Sequence, residues 1–302
     1  MFSPLIDRRR FAAILAGTAI ASAPPRRGLM TLGFSTYGMP SWTTERALDT
    51  VAAVGFDSYE LCILPTYDSQ PTKLTPSRRR ALCRRAIDRG LTLTALMESL
   101  TPSADDKADT GSRERLQRAA ELARDLGGES PPLVETVLGG GEWDKIRGLY
   151  RDRLGKWVES LDGITLAIKP HRFGAMSLPV HAIWLIEQVG STRLKMVYDQ
   201  SHYEHRGQDQ ETLVKKAAPH VAFVAVKDVE MKDGKATFQL PGESRAPNHV
   251  SVLRGLAKYG YKGDVSCEVS GMVFSRPSYD GLAAARVCRE KMERFMREAG
   301  VR

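Results

Sequence analysis

The feature that most narrows what this chain can fold into is an alternation that runs almost its whole length. A short apolar run is followed by an amphipathic stretch, and the pair recurs eight times. The apolar runs span residues 32–37, 57–63, 91–97, 133–138, 164–168, 194–198, 221–226 and 265–268. Between them, periodic stretches at 44–54, 76–90, 112–126, 143–161, 179–189, 211–218, 250–259 and 280–299 predict helices. Thr43 and Thr75 are suited to open helices, and Gly55, Gly90, Gly127 and Gly260 to stop them. Strands that alternate with helices at this spacing predict a parallel sheet with right-handed crossovers. Eight such units over about 250 residues is the size of a (β/α)8 TIM barrel. The reading is therefore α/β, a single barrel domain over residues 30–300, because no composition break marks a linker inside it. The segment between Asp228 and Val250 reads as a polar loop. A doubly wound open sheet lacks support, since no Gly-rich dinucleotide loop follows the first strand, and no nucleotide cofactor is expected. Gly139-Gly140-Gly141 reads instead as a turn set close to the barrel mouth.

The N-terminus is a separate object. Asp7-Arg8-Arg9-Arg10-Phe11 precedes an uncharged stretch that ends at Ala21-Ser22-Ala23. A basic region, a short apolar run and a small-residue exit, in that order, predict a twin-arginine signal peptide over residues 1–23 and a periplasmic or extracytoplasmic location. No apolar run reaches the roughly 18 residues of a spanning helix, so integral membrane association is not expected. The 302 residues carry a net charge of +8, and removal of the leader would lower it by two. Without a basic stripe interleaved with aromatics, that charge does not point to nucleic acid. Cys62, Cys83, Cys267 and Cys288 form no CxxC pair and read as small apolar residues.

In a barrel, chemistry collects at the carboxyl ends of the strands. Those ends carry Glu60, Glu98, Lys169, His171, Asp199, His202, Lys227, Asp228 and Glu268, and Glu135 lies within the fourth strand. An unpaired buried charge is costly. If Glu60, Glu135 and Glu268 point inward, each requires a cation, a metal or a hydrogen-bonding substrate. Alternation puts Ala225 and Lys227 on one face of the seventh strand and Asp228 on the other.

At these residues the chain resembles the sugar phosphate isomerase/epimerase family, with the xylose isomerase-like barrel. The matching pieces are Gly55-Phe56-Asp57-Ser58-Tyr59-Glu60-Leu61, Val197-Tyr198-Asp199 with His202, Val226-Lys227-Asp228, Pro241-Gly242-Glu243, and Gly260-Tyr261-Lys262-Gly263 leading to Glu268. The resemblance covers residues 30 to about 297, with these pieces in order along it. The resemblance implies one divalent metal at the mouth, held by a Glu after strand five, an Asp after strand six, a His on strand seven and a Glu on strand eight. Asp199 and Glu268 match, but Lys169 and Ala225 stand at the other two positions. Two readings follow. In one the metal is gone, and Lys169 supplies the positive charge that steadies an enediolate. In the other a divalent Mn, Zn or Fe is held by His171, Asp199, His202 and Glu268.

The function that the resemblance implies is isomerisation, epimerisation, or a related elimination or hydration of a small sugar or keto-sugar. Glu268, Lys169 and His202 are the candidate catalytic residues, and Glu60, His171, Lys227 and Glu135 the candidate substrate contacts. The alternative is a non-catalytic sugar-binding barrel that has lost its metal. Abasic-site DNA cleavage is not expected, because that variant of the barrel needs a three-metal cluster rich in His, and this chain has six His in all. The sugar is not specified by the sequence, and an oligomer is left open.

Overall fold

A computed structural model describes residues 30–244 and 248–302. The expected leader at 1–23 lies outside the described residues. Eight parallel strands close into a barrel: β1 (Thr31–Ser35), β2 (Ser58–Cys62), β3 (Thr92–Ser99), β4 (Leu133–Val137), β5 (Leu166–Lys169), β6 (Leu194–Tyr198), β7 (Val221–Val226) and β10 (Asp264–Cys267). Each strand pairs with its neighbour in chain order, and β10 closes the ring against β1. The helices α1 (Thr44–Val54), α2 (Pro76–Asp88), α3 (Asp106–Gly127), α4 (Trp143–Ser160), α5 (Pro179–Val189), α6 (Gln210–Ala217), α7 (His249–Lys258) and α9 (Gly281–Glu298) form the outer layer. A further short helix, α8 (Gly271–Phe274), follows β10.

Local chemistry explains most of these elements. Thr43, Thr75 and Asp280 accept backbone N–H groups at the starts of α1, α2 and α9. α3 starts six residues before the expected Ser112. Asp105 accepts the Ala108 N–H there, and the helix carries Gly111 inside it. β1 ends at Ser35 because residues 36–38 turn into a 3-10 helix capped by the Ser35 hydroxyl.

The expected polar loop after β7 contains a hairpin of β8 (Asp228–Lys232) and β9 (Lys235–Gln239). Its two-residue turn is Asp233-Gly234, both at positive φ, a pairing that suits the twist of a tight hairpin. Both strands alternate polar and apolar residues, Asp-Val-Glu-Met-Lys and Lys-Ala-Thr-Phe-Gln, around an Asp-Gly turn, so the hairpin is written in the sequence and the loop reading passes over it.

The barrel interior is layered by strand alternation. Outward residues such as Leu166, Ile168, Met196 and Cys267 join the large core between strands and helices. Inward, Ala95, Ala167, Val197, Phe223 and Ala225 form a second, dry cluster. Two residues further along four of the same strands stand Met97, Lys169, Asp199 and Lys227. A small apolar layer thus lies directly beneath a charged one. Gly33 belongs to the close-packed interior, since a Cβ there would sit 2.5 Å from Ser58 Oγ. No helix among the described residues is long and apolar enough to cross a membrane. All four cysteines are free thiols.

Candidate active site

The charged layer is an alternating chain of ions across the barrel mouth. Asp199, at the end of β6, pairs with Lys227, after β7. Lys227 Nζ also reaches Glu268 Oε1 at 2.8 Å. Glu268 Oε2 accepts from Lys169 Nζ at 2.5 Å, and Lys169 Nζ reaches Glu135 Oε1 at 2.9 Å. Glu60, beside Glu135, ends the row without an ion pair of its own among the described residues. All six side chains are buried, and Lys169 and Lys227 are 3% and 1% exposed.

Burial penalises every one of these charges, so the partners decide the outcome. Burial raises the Glu268 carboxyl, but Lys169 and then Lys227 outweigh it and hold the group at about 2. Asp199 is likewise held well below the carboxylate range, against burial, chiefly by Lys227. Glu60 goes the other way, raised well above its usual value by burial and by the neighbouring Glu135. Glu135 is also raised by burial, despite Lys169. Both lysines stay protonated, because carboxylates outweigh the cost of burying them. The row therefore splits into Asp199 and Glu268, whose ionised forms are favoured, at one end and Glu60 and Glu135, whose protonated forms are favoured, at the other.

A pocket of about 490 Å³ opens at this end of the barrel. Its wall includes Tyr37, Glu98, Glu135, Lys169, His171 and Glu268. Asp199, Lys227, Glu60 and His202 are buried and absent from the wall, and Lys227 reaches it through Glu268. The structure thus brings Glu268, Lys169, Glu135 and His171 to where a ligand would enter. Lys227, Glu60 and His202 are buried and do not line the pocket. His171 and His202 have ring centroids 4.2 Å apart. Burial, then the neighbouring His202, pushes His171 down to about 3, and burial keeps His202 below its usual value despite Asp199. Both rings are neutral at pH 7, able to donate and accept one hydrogen bond each.

Three contributors gained no role from the sequence. Tyr37 follows β1, and its phenol is raised by burial and by Glu268. Glu98, at the end of β3, is tied to Arg115 at 2.5 Å. Phe238 of the hairpin packs edge-on to His202, with ring centroids 5.1 Å apart, and covers Lys227 Nζ at 5.2 Å. The strand-end rule reaches Tyr37 and Glu98. Phe238 could be found only by recognising Asp233-Gly234 as a hairpin turn. Asp228, on the opposite face of its strand as alternation requires, pairs with His249 at 2.7 Å and accepts the Gly242 and Ser244 N–H groups. It anchors the hairpin's base and takes no part in the pocket. A groove of about 550 Å³ between α6 and α7 holds no comparable chemistry.

Comparison with known proteins places this geometry. A sequence model of the xylose isomerase-like TIM barrel family matches residues 48–298. The chain belongs to that family. Among solved structures, it is similar to a xylose isomerase domain protein from Alicyclobacillus acidocaldarius, at 20% identity and a TM-score of 0.73. That match covers 90% of this chain and 99% of the other. The IolI protein with a bound zinc atom matches at 19% identity and a TM-score of 0.74, covering 88% and 98%. An L-ribulose 3-epimerase matches at 19% and 0.70, covering 90% and 96%. None of the curated proteins matches by sequence. At such identities the structural likeness establishes the fold alone.

The zinc of IolI raises the question whether this barrel's donors fit a metal. The expected set of His171, Asp199, His202 and Glu268 is gathered in one region, but its oxygens are committed. Glu268 gives one oxygen to each lysine. Asp199 Oδ1 accepts from Ser201 Oγ at 2.6 Å, and Oδ2 from Lys227. Among the described residues no three His, Cys, Asp or Glu side chains converge as a metal-binding group. As arranged, the set does not fit a divalent ion, because an ammonium group stands between its two carboxylates.

Proposed function

We propose that this chain is a carbohydrate-active enzyme that moves a proton next to the carbonyl of a small keto-sugar. The reaction class is isomerisation or epimerisation, or a related elimination or hydration. The observation that carries this reading is the juxtaposition, on one pocket wall, of the ionised Glu268 carboxylate with the Lys169 ammonium 2.5 Å away. Glu268 takes the proton from the carbon beside the carbonyl. The electron pair moves onto the carbonyl oxygen, and Lys169 stabilises the charge that develops there. An ammonium has three N–H donors. Two of those on Lys169 face Glu135 and Glu268, which leaves one for the substrate oxygen. At about 2, Glu268 is a weak base in the resting site. A substrate oxygen that draws Lys169 away strengthens that base as the reaction begins. His171, neutral on the same wall, is suited to a sugar hydroxyl.

The test is proton exchange. A panel of unphosphorylated keto-sugars is incubated with the protein in D2O and read by NMR. The reading requires deuterium at a carbon next to the carbonyl, with loss of that exchange in Glu268→Gln at a temperature where circular dichroism shows the variant folded. Exchange that survives Glu268→Gln removes the proton-transfer role. The non-catalytic reading has one observation in its favour, the low basicity of Glu268. Calorimetric binding of a keto-sugar without any exchange would establish it.

A further inference from the structure

The cation between the site's carboxylates is built from protein. We propose that the ammonium groups of Lys169 and Lys227 together take the place of a divalent ion in this barrel, which holds its substrate and its acid–base carboxylate in register without one. Three observations converge on this. First, the charge is equivalent: two ammonium groups bring two positive charges. They contact Asp199 and Glu268, the two carboxylates that match the family's ligand positions. Second, the ligand positions that do not match are changed in complementary ways. Lys169 brings a cation where a carboxylate would bind a metal. Ala225 removes a donor and packs with Ala95, Ala167, Val197 and Phe223 in the dry layer beneath. Third, Lys227 is walled in. Asp199 and Glu268 hold its ammonium on one side and Phe238 covers it 5.2 Å away on the other, so the side chain is 1% exposed. A protonated amine held this way repels an incoming divalent ion and denies it both carboxylates.

The two lysines divide the work. Lys169 lines the pocket and meets the substrate oxygen. Lys227 does not line it. It is a positioning residue that holds Glu268 by Oε1 while Lys169 holds Oε2. A metal does both jobs as one ion. Here the two jobs sit on separate residues, so the electrophile can shift toward substrate without releasing the carboxylate.

The test reads metal retention and needs no knowledge of the substrate. The full chain is incubated with Mn²⁺ or with Zn²⁺, passed over a chelating resin, and analysed by mass spectrometry for bound metal. The wild type is expected to retain far less than one equivalent, and retention of one equivalent overturns the proposal. In Lys169→Glu/Ala225→His, the missing donors are supplied, and near-stoichiometric retention with a metal-dependent rise in melting temperature is expected. If that variant melts like the wild type yet retains no more metal, the lysines are not what excludes the ion, and the proposal fails. Should it not fold, Lys227→Ala opens Asp199, His202 and Glu268 instead, and must retain more metal than the wild type. Deuterium exchange is scored separately. A metal-loaded wild type that exchanges deuterium would refute this inference and leave the proposed reaction standing.

Discussion

Replacing Lys169 with Met removes the cation that Glu135 and Glu268 share while keeping much of the side chain's volume. The cost follows from the site's electrostatics. Glu268 is held at about 2 against a usual 4.5. At about 1.4 kcal/mol per pKa unit, that depression contributes about 3 kcal/mol at neutral pH. Removal of one partner of a buried ion pair independently suggests about 3–5 kcal/mol. Lys227 shares in the first figure and remains in the variant, so the second figure applies, and urea unfolding at pH 7 should show a loss of that size. The pH dependence has a defined sign. In the wild type Glu268 has a depressed folded pKa. Its contribution is therefore present above about pH 4.5 and is lost as pH falls toward 2. In Lys169→Met the carboxyls lose their cation and their folded pKa values rise. The variant then binds protons on folding and gains stability as pH falls from 7 to 4.5. Its deficit should narrow by up to about 1.4 kcal/mol per pH unit for each carboxyl so affected. Lys169→Arg keeps the charge and should lose less. A loss under about 1 kcal/mol at pH 7 would refute the reasoning, because buried pairs are not that cheap to break. So would a deficit that does not change between pH 7 and 4.5.

Three further outcomes follow from other parts of the chain. With His171 at about 3, its ring should not titrate between pH 5 and 8, and His202 should titrate below its usual value; NMR of the imidazole protons checks both directly. Because folding favours the neutral rings, their contribution is present at pH 7 and falls away as pH drops below about 6.5, the unfolded value. Phe238→Ala removes the aromatic cover from Lys227 and His202. Hydrogen exchange should speed up at residues 228–239 with little change in the barrel strands, and uniform protection would show that the ring anchors nothing. Replacing Arg9 and Arg10 with Lys should keep the full-length precursor in the cytoplasm, if the first 23 residues act as a twin-arginine leader; fractionation and intact mass of both forms decide it.

The barrel was legible because two signals in the sequence are local. Hydrophobic periodicity separates strands from helices, and caps such as Thr43 and Thr75 mark where helices begin. The rule that chemistry gathers at strand ends selects Glu60, Lys169, Asp199, Lys227 and Glu268 without any structure. Local signals fail where several compete. The hairpin at 228–239 reads as loop because its two strands are only five residues each and mostly polar, although their alternation around Asp233-Gly234 is present. The start of α3 is hidden because Asp105 lies ahead of a glycine.

By itself, the sequence determined that eight strand–helix units close into one barrel. It also determined that a lysine and an alanine stand where the family resemblance expects metal ligands. Only the tertiary structure decided who pairs with whom. Glu135, Lys169, Asp199, Lys227 and Glu268 come from five different strands, and ring closure alone brings residues as far apart as 169 and 268 within 2.5 Å. Whether a carboxyl is ionised then depends on burial and on which cation it meets. Glu60 and Glu268, alike in sequence context as strand-end acids, are driven in opposite directions for that reason.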